Sequence, residues 1–245
     1  MADTKISAES DAGTLTGAEI VPVVRGTGSP PSYSNLRTTD LEIAMLTGLY
    51  SLAAGVPTIA SMTAVNISGT TSSGQNSGKA FSVIDTGGNV TNLRGYRRTS
   101  VPSTPYLIAI GFLAVGSSLS QTTFGWSDGT KYETLGFSLG AAPASTIETW
   151  NNSTSRNGFT TGPNYGFGPG PRWIGLHDDG TNRIFKISAD GANFITVNST
   201  AKASAWLGSS GHTSIFMGIR PADTNPGIVT VICYDEAGLS RITRG

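Results

Sequence analysis

Cysteine is nearly absent: Cys233 stands alone among 245 residues, so no disulfide can close within the chain. Its cysteine usage gives no sign of an oxidising secretory route. In the run IVTVICYD the thiol reads as a buried strand residue. Charge is also scarce. Only 13% of residues are Asp, Glu, Lys or Arg, about half of the ~25% usual for globular proteins. Sixteen basic and sixteen acidic side chains cancel, so the chain lacks the basic excess that binding to nucleic acid requires. Long apolar runs are missing as well. YLIAIGFLAVG (106–116) is the longest kind present, too short to span a bilayer. The start, MADTKISAESDAGT, shows no basic stretch leading into an apolar one. The expectation is a protein made in a cytoplasm, with no membrane insertion and no nucleic-acid partner.

The spacings that carry chemistry are absent too. A hydrolase built on β-strands needs two carboxylates facing one cleft. Jelly-roll glucanases set theirs alternately along one strand, and no E-x-D-x-x-E arrangement occurs here. The carboxylates to consider are Asp128, Glu133, Glu148, Asp178, Asp179 and Asp190. Most sit in Asp-Gly turns, where Asp serves a local hydrogen bond to the backbone. The two histidines, His177 and His212, fall in no zinc or EF-hand spacing. No G-x-S-x-G nucleophile elbow is present. The expectation is a protein that is not an enzyme and uses neither metal nor cofactor.

What is plentiful is glycine, 32 residues, together with Ser and Thr, a composition suited to β-structure with many turns. From Ala80 onward, short runs read as strands: AFSVID, PYLIAIGFLAV, TTFGW, KYETLGFSL, TIETW, RWIGLHD, NRIFKIS, NFITVN, TSIFMGIR and IVTVICYD. SDG, DDG, ADG and PADTNPG supply turns between them. This spacing predicts an all-β domain over 80–245, a two-sheet antiparallel sandwich. Residues 49–79 end in SGTTSSGQNSGK and are expected to be a linker.

Residues 1–48 differ. EIVPVV (19–24) reads as a strand, and its Pro22 suits an edge. GTGSPPS is a loop, and RTTDLEIAMLTG is expected to hold a short helix. Thr39 and Glu42 form its capping box and Gly48 its stop. A strand, a loop and one helix are too little to bury a core, so this segment is expected to pack on another chain or another copy.

Aromatic residues point to one further candidate. WNNSTSRNGFTTGPNYGFGPGPRW (150–173) is long, rich in Asn and Gly, and reads as a functional loop. Trp150, Asn151, Asn152, Tyr165 and Trp173 are its candidate glycan-binding residues, with rings to stack on sugars and amides to bond hydroxyls. The bland alternative is that the rings fill the sandwich core or a subunit interface. RGYRR (94–98) is the densest positive patch, either a grip for an anionic polysaccharide or phosphate or, as is more usual, a solvated loop or an inter-subunit salt bridge.

Two stretches resemble known families. KIS, then LTGAEIVPVVRG, then LRTTDLEIA is similar to the N-terminal module of tailed-bacteriophage tail fibres and head fibres. Ile6 and Ser7 match its start, and Leu15, Thr16, Gly17, Glu19, Pro22, Val23 and Val24 its centre. Thr38, Thr39, Asp40 and Leu41 match its end, whereas Ala8 and Glu9 replace the usual Leu-Pro. The resemblance implies a homotrimer fixed to other virion proteins by Leu15, Glu19, Val21, Val23, Leu41 and Ile43, with the distal domain facing outward. RWIGLHDDGTNRIFKISADGANF (172–194) more loosely resembles the concanavalin A-like jelly roll. Together these imply a short trimeric tail fibre or spike that presents a lectin-like domain to a host-surface glycan. A capsid decoration protein is the alternative, favoured by a chain with no room for a long shaft, and a glycan hydrolase is a third.

Overall fold

The structure is a computed structural model. It describes residues 20–25, 32–37, 55–69, 71–76, 80–86, 92–116, 121–138, 144–164, 172–209, 211–221 and 226–236. The chain divides into two compact units, Met1–Leu52 and Ala53–Gly245.

In the first unit β1 (Ile20–Arg25) pairs antiparallel with β2 (Ser32–Arg37). Pro22 lies opposite Asn35. In a two-stranded sheet each strand keeps an unpaired edge, where proline costs no ladder bond. SYSNLR carries little strand propensity of its own and is held by its partner, which is why the sequence pattern left β2 as part of the loop and the approach to a helix. Val21 and Val23 stand in β1 opposite Leu36 and Ser34. Leu15, Glu19, Leu41, Ile43 and the expected helix lie outside the described residues.

The second unit is the expected two-sheet antiparallel β-sandwich of jelly-roll type. Its strands begin with β3 (Thr63–Val65), β4 (Thr71–Asn76), β5 (Ala80–Asp85), β6 (Arg94–Arg98) and β7 (Tyr106–Gly116). They continue with β8 (Gln121–Ser127), β9 (Tyr132–Ser138), β10 (Ala144–Asn152), β11 (Ser155–Asn164) and β12 (Arg172–Asp178). The last are β13 (Asn182–Ser188), β14 (Ile195–Ala201), β15 (Ser214–Arg220) and β16 (Gly227–Asp235). Sheet I runs β11-β10-β9-β8-β15-β6-β3, and sheet II runs β14-β13-β12-β7-β16-β5-β4.

Alternation along the strands builds the core between the sheets. Phe124 and Trp126 of β8, Leu135 and Phe137 of β9, and Ile215, Met217 and Ile219 of β15 face Ile108, Ile110 and Phe112 of β7 and Phe185 of β13. Phe112 lies 4.7 Å from Phe124, and Trp126 lies 4.6 Å from Phe185, centroid to centroid. Two buried ion pairs join the sheets across this core. Asp85 of β5 meets Arg94 of β6 at 2.6 Å, and Arg183 of β13 meets Glu133 of β9 at 3.3 Å. Through Gly227, Asp85 sits level with Gly116, where β7 ends, and through Asp178, Arg183 sits level with Tyr106, where β7 begins. The pairs therefore clamp opposite ends of the sandwich.

Three expectations are corrected. Residues 63–65 and 71–76 were expected in the linker, yet they form β3 and β4, the outermost strands of sheets I and II. RGYRR is not a solvated loop but β6, paired with both β3 and β15. The segment 150–173 is not one long loop, because Ser155–Asn164 returns along β10 as β11. Each of these strands is short in apolar residues and depends on a stronger neighbour for pairing.

Candidate functional site

The structure separates the residues expected to bind glycan. Trp150 is fully buried, grouped with Tyr132, Phe216, Leu93 and Val65 on the side of sheet I turned away from sheet II. Trp173 is 2% exposed. Its ring covers Gly111 and Gly191, where an added Cβ would come within about 3 Å of it. Neither ring has a face left to stack on a sugar, which corrects that expectation in favour of packing. Asn151 and Asn152 are exposed at the end of β10, where the chain turns into β11. The Asn152 Oδ1 accepts from the backbone N–H and the hydroxyl of Thr154 at 2.9 and 2.8 Å, so it builds the turn. Tyr165 lies outside the described residues.

The carboxylates disperse in the same way. Asp128, Asp179 and Asp190 each accept two backbone N–H groups from residues two and three further on, as turn-forming Asp does. Asp178 is buried against Lys202 at 3.0 Å. Glu133 faces inward to Arg183, and its burial pushes the carboxyl above the usual range although Arg183 opposes this. His212 is held from below by Arg183, whose Nε donates to Nδ1 at 3.2 Å. Its Nε2 therefore carries the proton and meets the Tyr106 hydroxyl. Burial, then the adjacent Arg183, pushes the imidazole down to about 4. Among the described residues no group of three His, Cys, Asp or Glu side chains is placed to hold a metal.

One constellation stands apart, on the outer side of sheet I. Register puts Phe159 of β11, Glu148 of β10 and Thr134 of β9 in one row across the strands, since Glu148 pairs with both its neighbours. Paired residues share a face. Glu148 is fully buried, and its Oε1 accepts from Arg156 Nη1 at 3.0 Å. Arg220 reaches the same oxygen, Nε to Oε1 at 3.3 Å, close enough for an ion pair but not aligned as a hydrogen bond. To do so its side chain crosses two strands, β8 and β9.

Glycines make room for that crossing. An added Cβ on Gly136 would lie 2.6 Å from Gln121 Oε1, and one on Gly125 would lie 2.1 Å from the Glu133 carbonyl. The amide of Gln121 thus lies over a bare stretch of backbone. The rim is aromatic. Phe159 is 58% exposed, and the Arg156 guanidinium sits 4.7 Å from its ring centroid.

This arrangement is unusual in how little of it is satisfied internally. Glu148 Oε2, Gln121 Oε1, Thr134 Oγ1, Trp150 Nε1, Arg97 Nε and Arg220 Nε are buried and accept or donate no hydrogen bond. Each such atom ordinarily costs about 1–3 kcal/mol. Such atoms occur elsewhere in the fold, as at Thr122 Oγ1 and His177 Nδ1, but here six gather on one side of one sheet. Chemically it offers acceptors for hydroxyl donors, guanidinium donors, and one accessible ring.

Reasoning from sequence named Glu148 only as a possible hydrolytic carboxylate and left Arg156, Phe159, Gln121 and Arg220 unremarked. The available signal was the turn NNST after TIETW, which announces a returning strand and so places SRNGF beside IET.

No family model matches this chain, and no curated protein matches it. Among solved structures it is similar to a functionally unknown protein from Saccharomyces cerevisiae, with TM-score 0.51 and 11% identity over 73% of this chain and 97% of that one. It is also similar to the CBM2 module of the evolved Dit of Lactobacillus casei BL23 phage J-1, with TM-score 0.45 and 10% identity over 72% of this chain and 92% of that one. For the GH43 BlXynB protein from Bacillus licheniformis the TM-score is 0.43 and the identity 11%, over 62% of this chain and 33% of that one. The likeness to the yeast protein is one of fold, and the other two are weaker.

Proposed function

We propose that the chain is a tailed-bacteriophage virion protein, a short homotrimeric fibre or spike held to other virion proteins by residues 1–48, whose sandwich binds saccharide on the host surface. The virion half rests on the N-terminal motif. The saccharide half rests on one observation: an exposed Phe159 ring beside Glu148, Arg156, Arg220 and Gln121, with several of their polar atoms unpartnered. An aromatic face with convergent acceptors and guanidinium donors matches a pyranose, which has an apolar face and a rim of hydroxyls. Binding in such a fibre is multivalent. Three weak sites on a trimer, and several trimers on a particle, gain avidity that no single site possesses.

The same geometry supports binding rather than turnover. Glu148 is the carboxylate of this row, and Glu133, one strand away, points inward to Arg183. Among the described residues no second carboxylate is set across the row from Glu148 to complete a hydrolytic pair.

The experiment is a glycan array probed with the intact chain, its mass first checked by light scattering against three times 25.3 kDa. Glycan binding that is lost in Phe159→Ala, with unchanged thermal stability, supports the reading. Equal binding by that variant places the sugar elsewhere, and no binding by an intact trimer removes the lectin role.

A further inference from the structure

We propose that the saccharide taken by the outer side of sheet I is anionic, a chain of linked sugars carrying carboxylate or phosphate oxyanions. This rests on the saccharide-binding reading above and narrows it to a substrate class.

The charge on this side is unbalanced. Arg97, Arg156 and Arg220 face it, whereas Glu148 is the carboxylate they share. Two of the three contact that single group, both at Oε1. Arg97 makes no hydrogen bond or ion pair among the described residues, and its Nε is buried. Register fixes its side: it pairs with Phe216, which packs edge-on against Tyr132. Its Nη1 lies 3.3 Å from where a Cβ on Gly129 would stand, so the guanidinium reaches over to the β8–β9 turn. Asp128 of that turn acts with it on the Tyr132 hydroxyl, so three guanidiniums face two carboxylates, Glu148 and Asp128. A chain with sixteen basic and sixteen acidic residues thus concentrates a positive excess on one sheet face.

Burial sharpens the preference. Burial lowers the proton affinity of Arg220, Glu148 opposes this, and Arg156 adds to it. A guanidinium in that position is under-compensated, and an oxyanion is the group that compensates it, since its two oxygens match the guanidinium fork. The acceptors beside it define the rest of the ligand. Glu148 Oε2 and Gln121 Oε1 accept from hydroxyl or N–H donors, and the Thr134 hydroxyl can accept or donate. A bare inorganic anion would satisfy the arginines and leave these acceptors unpaired. A neutral sugar would do the reverse. A hydroxyl-rich chain with negative groups satisfies both.

Spacing argues for a chain over a single sugar. Arg97 stands on β6 and Glu148 on β10, four strand intervals apart in sheet I. At ~4.8 Å per interval that is roughly 19 Å.

The test is titration of fluorescently labelled oligosaccharides with the intact chain, by fluorescence anisotropy. The probes are an oligogalacturonate, a phosphate-linked oligomannoside and a neutral dextran oligomer of similar length. Tight binding of either charged probe over dextran supports the proposal, and which of them binds identifies the oxyanion. That affinity should fall about tenfold or more between 50 and 500 mM salt. It should also fall about tenfold in Arg97→Gln, whose thermal midpoint should move little because Arg97 makes no hydrogen bond or ion pair among the described residues. Arg156→Lys, which keeps the charge but not the fork, should weaken binding less than Arg156→Gln does. Salt-insensitive binding of dextran at equal affinity overturns the anionic assignment and leaves the saccharide reading standing. Failure of all three probes on a trimer that also binds nothing on the array sinks both.

Discussion

Replacing Arg183 by methionine removes a guanidinium with three internal partners and no solvent. It donates to Glu133 Oε2 at 3.3 Å, to the Gly208 carbonyl at 2.8 Å and to His212 Nδ1 at 3.2 Å. Methionine restores much of the stem volume, so the loss is electrostatic rather than a cavity. Glu133 is left buried without its cation, a situation that typically costs about 3–5 kcal/mol. The Gly208 carbonyl adds about 1 kcal/mol if it finds no other donor. For a domain of this size, each kcal/mol moves the midpoint by roughly 2–4 °C, so a fall of about 6–24 °C is expected at neutral pH.

The pH dependence identifies the cause. Glu133 already has its carboxyl raised by burial, with Arg183 acting against the rise. Without Arg183 it rises further. A carboxyl whose folded value lies above the unfolded one binds more protons when folded, so stability falls as pH rises past the ordinary 4.5. The deficit of Arg183→Met should therefore be small near pH 4.5 and grow toward pH 8. Calorimetry of the intact chain, with fluorescence of the buried Trp126 and Trp150 to report the sandwich, reads it. Adding Glu133→Gln should recover about half or more of the loss, a coupling the double-mutant cycle measures. Additive single losses with no pH trend would mean the pair does not hold the two sheets together, and the reasoning would fail.

His212 gives a second pH signature of opposite sign. Its folded value near 4 lies below the ordinary 6.5, so the unfolded chain binds more protons in that window. Stability is then complete above about pH 6.5 and declines toward pH 4, by at most about 3 kcal/mol. Urea midpoints of His212→Gln should lack this part of the slope, and an unchanged slope would contradict the buried neutral imidazole. Gly218→Ala should be severely destabilising, because its Cβ would lie 2.1 Å from the Arg94 carbonyl oxygen and 2.9 Å from Gly95 Cα, neither of which can swing aside. Overpacking of that kind costs about 1–3 kcal/mol or more. Gly74→Ala meets nothing within 4 Å and should leave the calorimetric midpoint within about 2 °C. Equal effects of the two would show that the close approach of β6 and β15 is not needed.

The sandwich was legible because its central strands announce themselves. IAIGFLAV, SIFMGIR and IVTVICYD carry β-branched and aromatic residues, the last two separated by the turn signal PADTNPG, and each is a strand. Four strands were not legible. TAV, TSSGQN, RGYRR and SRNGFTTGPN are polar, glycine-bearing or charged, and none has an apolar alternation of its own. Three of them end their sheets, where the pattern comes from a neighbour on one side only. Missing β11 concealed the candidate site. Read as a loop, the segment offered Trp150 and Trp173 as stacking rings. Read as a hairpin, it turns Trp150 into the packing and brings Arg156 and Phe159 beside Glu148.

The two sides of sheet I treat buried polarity differently. Toward sheet II, Asp85 meets Arg94, Glu133 meets Arg183, and Asp178 meets Lys202. An ion enclosed between two sheets must be matched by the fold itself, or the fold would not survive its desolvation. On the opposite side lie Arg97, Gln121, Thr134, Glu148, Trp150 and Arg220, each with a buried polar atom that makes no hydrogen bond. Isosteric apolar residues there would relieve that penalty, and the neighbouring Phe216 and Tyr132 show that apolar packing is sterically possible on this face. Unmet atoms are not confined to the outer side, since the Thr122 hydroxyl toward sheet II also makes no hydrogen bond. What distinguishes the outer set is that its acceptors and donors converge between an exposed ring and three arginines. On the reading proposed above, the exposed Phe159 ring and the Arg156 guanidinium at the rim are what a saccharide meets first, with the buried acceptors and donors behind them.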